Sequence, residues 1–388
     1  MYKNFPKVSP HSMVARVFIA FLASAGLFYV NIMPTIVSGL IEALGFTNQQ
    51  AGNVASANMY GAAVGALLIV FLIKRLNWQL ASTAFLCGLI VIDLLSMRLT
   101  DPTTLLMVRF GHGFVGGMLV GTGFSLIART HQPDRTFGVL LFVQFGFGGL
   151  GIMFIPPLVP EFGTQILFYS LIAFSIVTFL MLPFLPDYPI RAPKDEKKKS
   201  WKHIITLPLC LALASIFLFQ AVNMGLFAFI IALGEHYGLE LNFISVTLGI
   251  SNWLGLVGAG LVILIGARFG YMKSVSAGIT ITAIAIWALL YSDAPWIWIA
   301  ANCTVGITWG FTISYLLGMA SRFDSTGQMA ALGGFASKMG LATGPVVTAW
   351  LLGEDNFQRI IWISALAMIM ILLTLWSPDR LQDRLIAS

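Results

Sequence analysis

The chain has 388 residues, of which 58% are hydrophobic and only 10% are charged, and its formal net charge is +6. Soluble domains carry roughly 25% charged residues, so this composition cannot cover a water-exposed surface and excludes a soluble globular protein. The basic residues lie in short segments between apolar runs rather than on one polar domain, which argues against nucleic acid as a partner.

Twelve apolar runs follow one another along the chain, and each is long enough to cross a bilayer, which takes about 20 mostly apolar residues. The second run is the least apolar, with Asn53, Ser56 and Asn58 in its first half, so we expect its polar face to lie against protein or water. The sequence therefore predicts an all-α membrane protein of twelve transmembrane helices, at residues 14–41, 50–73, 79–97, 103–127, 137–159, 165–185, 204–233, 241–265, 273–291, 295–320, 327–352 and 357–376.

Lys and Arg are distributed unevenly between the two sides of these predicted helices. Of the 22 basic residues, 18 fall on the side of the two termini, whereas only Arg98 and Arg359 fall on the opposite side. The remaining two, Arg109 and Lys338, fall inside predicted helices. Because cytoplasmic loops carry the excess of basic residues, we expect both termini to be cytoplasmic, with the protein in the plasma membrane or cell inner membrane.

The chain divides into two halves around its longest polar segment, at residues 187–202. We predict an N-terminal six-helix half at residues 1–186, a cytoplasmic basic linker at 187–203 and a C-terminal six-helix half at 204–388. A single repeat offset, the difference between positions 268 and 75, aligns identical residues of the two halves: Arg75 with Arg268, Pro102 with Pro295, Gly113 with Gly306, Gly117 with Gly310, Arg129 with Arg322, Gly151 with Gly344, and Glu161 with Glu354. Two pseudo-repeats of one orientation are typical of a parallel repeat in transporters.

Ionisable side chains inside the predicted helices are candidates for function, because each costs roughly 2.5–3.5 kcal/mol to insert. Asp93 and Arg109 lie eight residues on either side of Asp101, at the turn between the third and fourth helices. At 1.5 Å per residue both are about 12 Å from that turn, so we predict an ion pair. The pair could simply join the two helices, or protonation of Asp93 could free Arg109 to bind substrate or to move.

Two further ionisable residues have two interpretations each. His112 lies about one turn from Arg109 and is either a proton relay or a packed, neutral histidine. Lys338 lies near the middle of the eleventh helix and either faces substrate or pairs across the helix bundle. Polar uncharged residues could complete a substrate site, although any one of them is more often an interhelical hydrogen bond: Tyr29, Asn31, Gln144, Gln220, Asn223, Asn252, Asn302 and Trp309.

The fourth predicted helix contains the sequence Arg-Phe-Gly-His-Gly at residues 109–113, followed by Gly116, Gly117 and Gly121. With this motif, the twelve helices, the central basic segment and the repeat, the chain resembles the major facilitator superfamily over nearly its whole length. The resemblance implies a transporter whose first, fourth, seventh and tenth helices surround a central cavity. It also implies gating roles for Arg75 and Arg268, although Lys74 and Ala267 replace the acidic residue of the family's loop motif.

The eleventh helix contains Gly340, Gly344 and Pro345, which suit a closely packed helix that bends during gating, with ordinary helix packing as the alternative. We expect a monomeric secondary transporter that moves a small organic anion or zwitterion, is driven by protons and has membrane lipid around it. The alternative is proton-driven efflux of lipophilic compounds. A membrane enzyme or a channel has less support, because the sequence has no phosphate-binding loop, metal-ligand cluster or selectivity-filter motif. We expect neither a cofactor nor a metal ion.

Overall fold

The computed structural model describes residues 5–73, 75–189, 206–266, 268–321 and 328–386, and all regular elements within these ranges are helices. The chain divides into two compact units, Met1–Ala192 and Pro193–Ser388. The helices of the first unit are α1 (Met13–Ala25), α2 (Phe28–Asn31), α3 (Met33–Leu44), α4 (Asn48–Leu72), α5 (Trp78–Ser96), α6 (Pro102–Arg129), α7 (Pro133–Phe154), α8 (Val159–Phe162) and α9 (Gln165–Met181).

The helices of the second unit follow residue 206. They are α10 (Leu207–Ala228), α11 (Ile230–His236), α12 (Leu241–Ile265), α13 (Tyr271–Ala288), α14 (Pro295–Ser321), α15 (Gln328–Leu352) and α16 (Phe357–Ile386). The predicted seventh helix is divided between α10 and α11, because Phe229 leaves helical geometry at φ −108° and ψ 13°. Its first two residues, 204 and 205, lie outside the described ranges.

The first predicted helix, 14–41, is also interrupted, and forms α1, α2 and α3 in succession. Ile32 leaves helical geometry at φ −106° and ψ 24°, and Pro34 then lies in the first turn of α3. Proline has no amide hydrogen and is therefore tolerated in a first turn, where that donor has no intrahelical partner. The interruption places Tyr29 and Asn31 on a short, separate turn of helix.

Ten of the helices in the described part of the chain are long and apolar enough to cross a membrane, while α1 and α3 are shorter apolar helices. Large apolar side chains point outward from several of the long helices, with Phe71 70%, Ile263 84% and Leu373 64% exposed. Such surfaces suit a lipid environment rather than water. The all-α membrane fold is confirmed, whereas the count of twelve spans and the cytoplasmic placement of both termini stay predictions.

The sequence repeat is also a repeat of helix contacts. In the first unit α4 and α6 approach so closely that a Cβ atom on Gly113 would collide with the carbonyl oxygen of Asn58. In the second unit α12 and α14 make the equivalent contact, between Gly306 and the carbonyl oxygen of Ser251. Two further pairs of contacts obey the repeat offset: Gly117 on Ala62 with Gly310 on Gly255, and Gly65 on Phe114 with Gly258 on Ile307. Small residues permit this close backbone approach in membranes.

The segment after α9 packs on the first unit, at the end that we predict to be cytoplasmic. Gln79 Nε2 donates to Asp187 Oδ1 at 3.3 Å, and Arg129 Nη1 donates to the Tyr188 carbonyl oxygen at 3.1 Å. Burial raises the pKa of Tyr188 to about 12, so its phenol stays neutral. The first two residues of the predicted linker are therefore held on the first unit, and residues 190–203 of that linker lie outside the described ranges.

Candidate functional site

A buried ion pair joins α5 to α6 in the first unit. Arg109 Nη2 donates to Asp93 Oδ1 at 2.7 Å, and the two side chains are 1% and 0% exposed. Among the described residues, the buried Asp, Glu, Lys, Arg and His side chains are Asp93, Arg109 and the adjacent His112. The structure thus brings together the two residues that the sequence paired.

Asp101 begins helix α6 and so sets the depth of Arg109. Its carboxylate Oδ2 accepts a hydrogen bond from the Thr104 amide at 2.7 Å and another from Thr104 Oγ1 at 2.7 Å. These bonds lower the pKa of Asp101 because they favour its charged form. With Pro102 in the first turn, this is a strong start signal, and it fixes the hairpin that brings Asp93 and Arg109 to equal depth.

His112 lies on α6 within reach of the same carboxylate. Its Nε2 is 3.4 Å from Asp93 Oδ1, and its Nδ1 is 2.9 Å from Nδ2 of Asn58 on α4. The same Asn58 nitrogen donates to the Arg109 carbonyl oxygen at 3.1 Å. Three helices, α4, α5 and α6, therefore meet in one buried network of hydrogen bonds and charge.

Tyr29 on α2 closes this network from another side. Arg109 Cζ is 5.5 Å from the Tyr29 ring centroid and 5.3 Å from the Phe168 ring centroid, distances typical of cation–π contacts. Four buried atoms of this cluster have no hydrogen-bond partner among the described residues: Tyr29 Oη, Asp93 Oδ2, Arg109 Nε and Arg109 Nη1. Buried polar atoms usually have partners, so this cluster has capacity for further hydrogen bonds. We call Tyr29, Asn58, Asp93, Arg109 and His112 the charged cluster.

The second unit contains a different, uncharged polar cluster, which bridges α10, α14 and α15. Trp309 Nε1 donates to Gln220 Oε1 at 2.6 Å, and Gln220 Nε2 donates to Ser337 Oγ at 2.8 Å. The Trp309 ring also packs edge-to-face on Phe227, with centroids 5.6 Å apart. Gln220 is 6% exposed, so its amide is largely committed to these two partners. We call Gln220, Trp309 and Ser337 the amide–indole cluster.

Lys338 is half-buried and directly follows Ser337 on α15. Successive residues of an α-helix point about 100° apart, so the lysine leaves the helix on a face adjacent to the amide–indole cluster. The backbones of Gly340 and Gly344 pack against the carbonyl groups of Phe217 and Ala221 on α10. Pro345 lies within α15. The close packing is observed, and the gating role of these residues stays a prediction.

Asn31 and Gln144 are also brought together, between α2 and α7. Gln144 Nε2 donates to Asn31 Oδ1 at 3.0 Å, and Asn31 Nδ2 donates to the Gln144 carbonyl oxygen at 3.3 Å. The repeat offset aligns Gln144 with Ser337, and each of these residues bonds to the opening helical segment of its own unit. A polar bridge at this position is therefore common to both units.

Two predicted ligands instead bond to their own helices. Asn223 Nδ2 donates to the Phe219 carbonyl at 2.8 Å, and Asn302 Nδ2 donates to the Trp298 carbonyl at 3.0 Å. The Asn223 Oδ1 atom is buried and has no partner among the described residues. Asn302 thus uses one amide hydrogen within its own helix, Asn223 also retains a buried acceptor, and the substrate-binding role of both residues stays a prediction.

Arg75 and Arg268 occupy matching exposed turns after α4 and α12. The Arg75 amide donates to the Leu72 carbonyl, and the Arg268 amide donates to the Ile265 carbonyl, so the same bond occurs at aligned positions of the two units. The two turns share this bond but differ in backbone conformation before it, since Ile73 has φ −58° whereas the aligned Gly266 has φ 55°. Their gating roles stay predictions.

Asn58 is the functional candidate that sequence reasoning missed. It was recognisable as part of the polar face of the second predicted helix, but nothing in the sequence connects it to His112. The repeat offset aligns it with Ser251, another polar residue in an apolar helix, and this equivalence could have drawn attention to it.

Comparisons with known proteins agree with this architecture. A family model described as Major Facilitator Superfamily matches residues 17–339. No curated protein sequence matches the chain. The nucleoside transporter NupG has a similar structure, with a TM-score of 0.75 at 14% identity, covering 95% of this chain and 99% of that one.

A second similar structure is the D-xylose-proton symporter, with a TM-score of 0.73 at 13% identity, covering 93% of this chain and 97% of that one. At these identities the likeness shows the fold, and the family match extends over most of the chain. The chain therefore belongs to the Major Facilitator Superfamily and is a multi-pass membrane transporter of the secondary type, not an enzyme.

Proposed function

We propose that this protein is a proton-coupled transporter in which Asp93 binds the coupling proton. The observation that carries this proposal is the buried pair of Asp93 and Arg109 at 2.7 Å. A proton on Asp93 would remove its negative charge and weaken its attraction for Arg109. The stranded guanidinium would then need another partner, because an uncompensated buried charge costs several kcal/mol. Proton binding would in this way change the contacts between α5 and α6.

The charge balance favours an anionic or zwitterionic substrate. More than one helical turn inside the predicted spans the chain carries two basic residues, Arg109 and Lys338, and one acidic residue, Asp93. Neutralising Asp93 increases the positive charge of this interior, which would be offset by a carboxylate or phosphate on the substrate. A small organic solute with one such group and an apolar part fits this balance.

The polar uncharged residues provide directional recognition for such a solute. The amide–indole cluster and the Asn31–Gln144 pair offer amide, indole and hydroxyl groups at fixed distances within each unit. A substrate group that replaced one of these internal bonds would have to bond to both former partners to leave neither of them unpaired. Asn223, with its unpartnered buried oxygen, is a further candidate ligand.

Efflux of lipophilic compounds is the second candidate function. Aromatic residues form 13% of the chain and there are 16 methionines, and such side chains can repack around varied apolar ligands. The similar structures, a nucleoside transporter and a D-xylose-proton symporter, favour small polar solutes instead, and the second of them also favours proton coupling. We place the protein as a monomer in the plasma membrane or cell inner membrane.

A ligand screen separates the two candidates. Purified protein would be tested for thermal stabilisation by small organic acids and, in parallel, by lipophilic cationic dyes. We expect organic acids to stabilise the protein, with hits then confirmed by uptake into proteoliposomes under an imposed pH gradient. Tight dye binding without competition by any acid would favour efflux, and uptake that ignores both pH gradient and membrane potential would reduce the mechanism to facilitated diffusion.

A further inference from the structure

His112 has its two ring nitrogens facing chemically different neighbours. Nε2 faces Asp93 Oδ1 on α5 at 3.4 Å, and Nδ1 faces the Asn58 amide nitrogen on α4 at 2.9 Å. Among the described residues, the other charged or titratable groups around the ring are Arg109 on its own helix and Tyr29 on α2, whose ring centroid is 5.9 Å away. The protonation of this histidine therefore depends on which neighbours can accept a hydrogen.

The orientation of the Asn58 amide decides this question. A backbone carbonyl oxygen can only accept, so the Asn58 atom 3.1 Å from the Arg109 carbonyl must be Nδ2 rather than Oδ1. That nitrogen carries two hydrogens, and the second one is available to His112 Nδ1, which lies 2.9 Å from it. His112 Nδ1 must then be the bare, accepting nitrogen, because a hydrogen there would face an amide hydrogen.

The second unit contains the same contact without this extra hydrogen. Ser251, which the repeat offset aligns with Asn58, donates its hydroxyl to the Asn302 carbonyl, just as Asn58 donates to the Arg109 carbonyl. A hydroxyl has one hydrogen and the amide has two. Val305 occupies the position equivalent to His112, so there is no imidazole at this position of the second unit. The bond to the backbone carbonyl thus occurs in both units, whereas the bond to the imidazole occurs only in the first unit.

We infer that Asn58 is a positioning residue, which holds His112 as the neutral tautomer with its hydrogen on Nε2. This hydrogen points to Asp93 Oδ1, which also accepts from Arg109. The second carboxylate oxygen, Oδ2, has no partner among the described residues. The transported proton therefore binds Asp93 Oδ2, forming an O–H bond and neutralising the carboxylate, while His112 keeps its single hydrogen throughout. His112 orients the carboxylate and is not a relay.

The relevance of this arrangement to transport rests on the proposed function, but its test does not. Magic-angle-spinning nitrogen NMR of the full chain in lipid nanodiscs, with isotope-labelled histidine, distinguishes a bare from a protonated ring nitrogen. The chain has five histidines, so the His112 signals are assigned by their loss in a His112→Gln variant. We expect one bare and one protonated nitrogen from about pH 5 to about pH 8, the range in which an ordinary histidine changes charge.

Asn58→Ser is the decisive variant, because Ser251 shows that serine can maintain the carbonyl bond at this contact. It should release Nδ1, so that His112 gains a second proton as the pH is lowered. Asn58→Asp should give a doubly protonated ring, since its carboxylate accepts from Nδ1. Ser251→Ala, which removes the equivalent bond in the other unit, should leave the His112 signals unchanged.

Two results would overturn the inference. One is a wild-type His112 that carries a hydrogen on Nδ1 at neutral pH, or on both nitrogens at about pH 6. The other is an Asn58→Ser variant that folds and titrates like the wild type. If that variant does not fold, the inference is tested by the protonation of His112 in the wild type and in Asn58→Asp. Because no substrate or gradient is used, a protein that proves not to be proton-coupled could still confirm the tautomer, and the two failures remain distinguishable.

Discussion

Arg109 Nη2 lies 2.7 Å from Asp93 Oδ1, and both side chains are buried on adjacent helices of the first unit. The two residues are eight positions before and after Asp101, the residue that caps α6. Equal depth follows from this symmetry, and facing side chains follow from the packing of α5 on α6. The pair thus combines a strong structural constraint with an acid that could bind a proton.

The first prediction concerns the stability of this pair. Asp93→Asn and Arg109→Gln should each lower the free energy of unfolding by about 3–5 kcal/mol, because each strands the other buried charge. The double variant should lose less than the sum of the two single variants. Thermal unfolding in detergent, followed for all four proteins of the cycle, measures this coupling. Strictly additive losses would show that the two charges do not depend on each other.

The second prediction separates a structural pair from a coupling pair. If Asp93 binds the coupling proton, the Asp93→Asn/Arg109→Gln double variant should fold but should no longer accumulate substrate in response to a pH gradient. Exchange of labelled for unlabelled substrate across proteoliposomes, which needs no net driving force, shows whether the variant still binds and moves substrate without Arg109. A double variant that accumulates substrate like the wild type would show that the pair only joins α5 to α6.

The third prediction concerns the contact between α4 and α6 and its repeat. Gly113→Ala and Gly306→Ala should each destabilise the protein by about 1–3 kcal/mol, because the new methyl group collides with a backbone carbonyl that cannot rotate away. Gly111→Ala in α6 is the matched control, since its Cβ would meet no atom within 4 Å. This control should be neutral or stabilising by up to about 1 kcal/mol, the helix propensity of alanine over glycine. Melting temperatures of the three variants test this prediction, with Gly111→Ala expected to melt above the other two.

The fourth prediction tests the amide–indole cluster. Trp309→Phe keeps an aromatic ring against Phe227 but removes the donor to Gln220 Oε1, which should cost about 1–3 kcal/mol. If Gln220 contacts substrate, the loss of orientation should also weaken binding, by about tenfold for each 1.4 kcal/mol. Trp296→Phe provides the control, because Trp296 is 71% exposed. Calorimetric titration with a ligand from the screen measures the change in affinity and melting temperature measures the change in stability. Equal affinity of the two variants for the ligand would contradict a substrate-binding role for Gln220.

The fifth prediction is a pH dependence at the start of α6. The Thr104 hydrogen bonds lower the pKa of Asp101 in the folded protein, so the carboxylate contributes stability above its unfolded pKa of about 4. That contribution is lost as the pH falls through the lower, folded pKa. Asp101→Asn retains a capping side chain without the charge, so the difference in melting temperature between wild type and variant should shrink on acidification. Thr104→Val, which removes the hydroxyl donor, should reduce the same pH dependence.

Much of the first unit's site was predictable because it depends on helix periodicity and depth. Asp93 and Arg109 could be paired from their symmetric spacing about Asp101, since helix rise converts residue number into depth. The interruption at Ile32 was less predictable, because residues 14–41 are mostly apolar and Pro34 marks only one side of the break. The bond from the Asn302 amide to the Trp298 carbonyl of its own helix could not be predicted from the sequence, and the substrate-binding role of Asn302 stays a prediction.

By itself the sequence determined the membrane class, the all-α fold and the repeat offset, since these depend on composition, on run length and on residues compared with one another along the chain. Only the tertiary structure decided that Asn58 reaches both His112 and the Arg109 carbonyl, and that Gln220 joins Trp309 to Ser337. Those contacts depend on the rotation of each helix about its own axis. Close glycine contacts, such as that of Gly113 with Asn58, fix this rotation. The hydropathy pattern does not encode it, because hydropathy is nearly uniform around buried membrane helices.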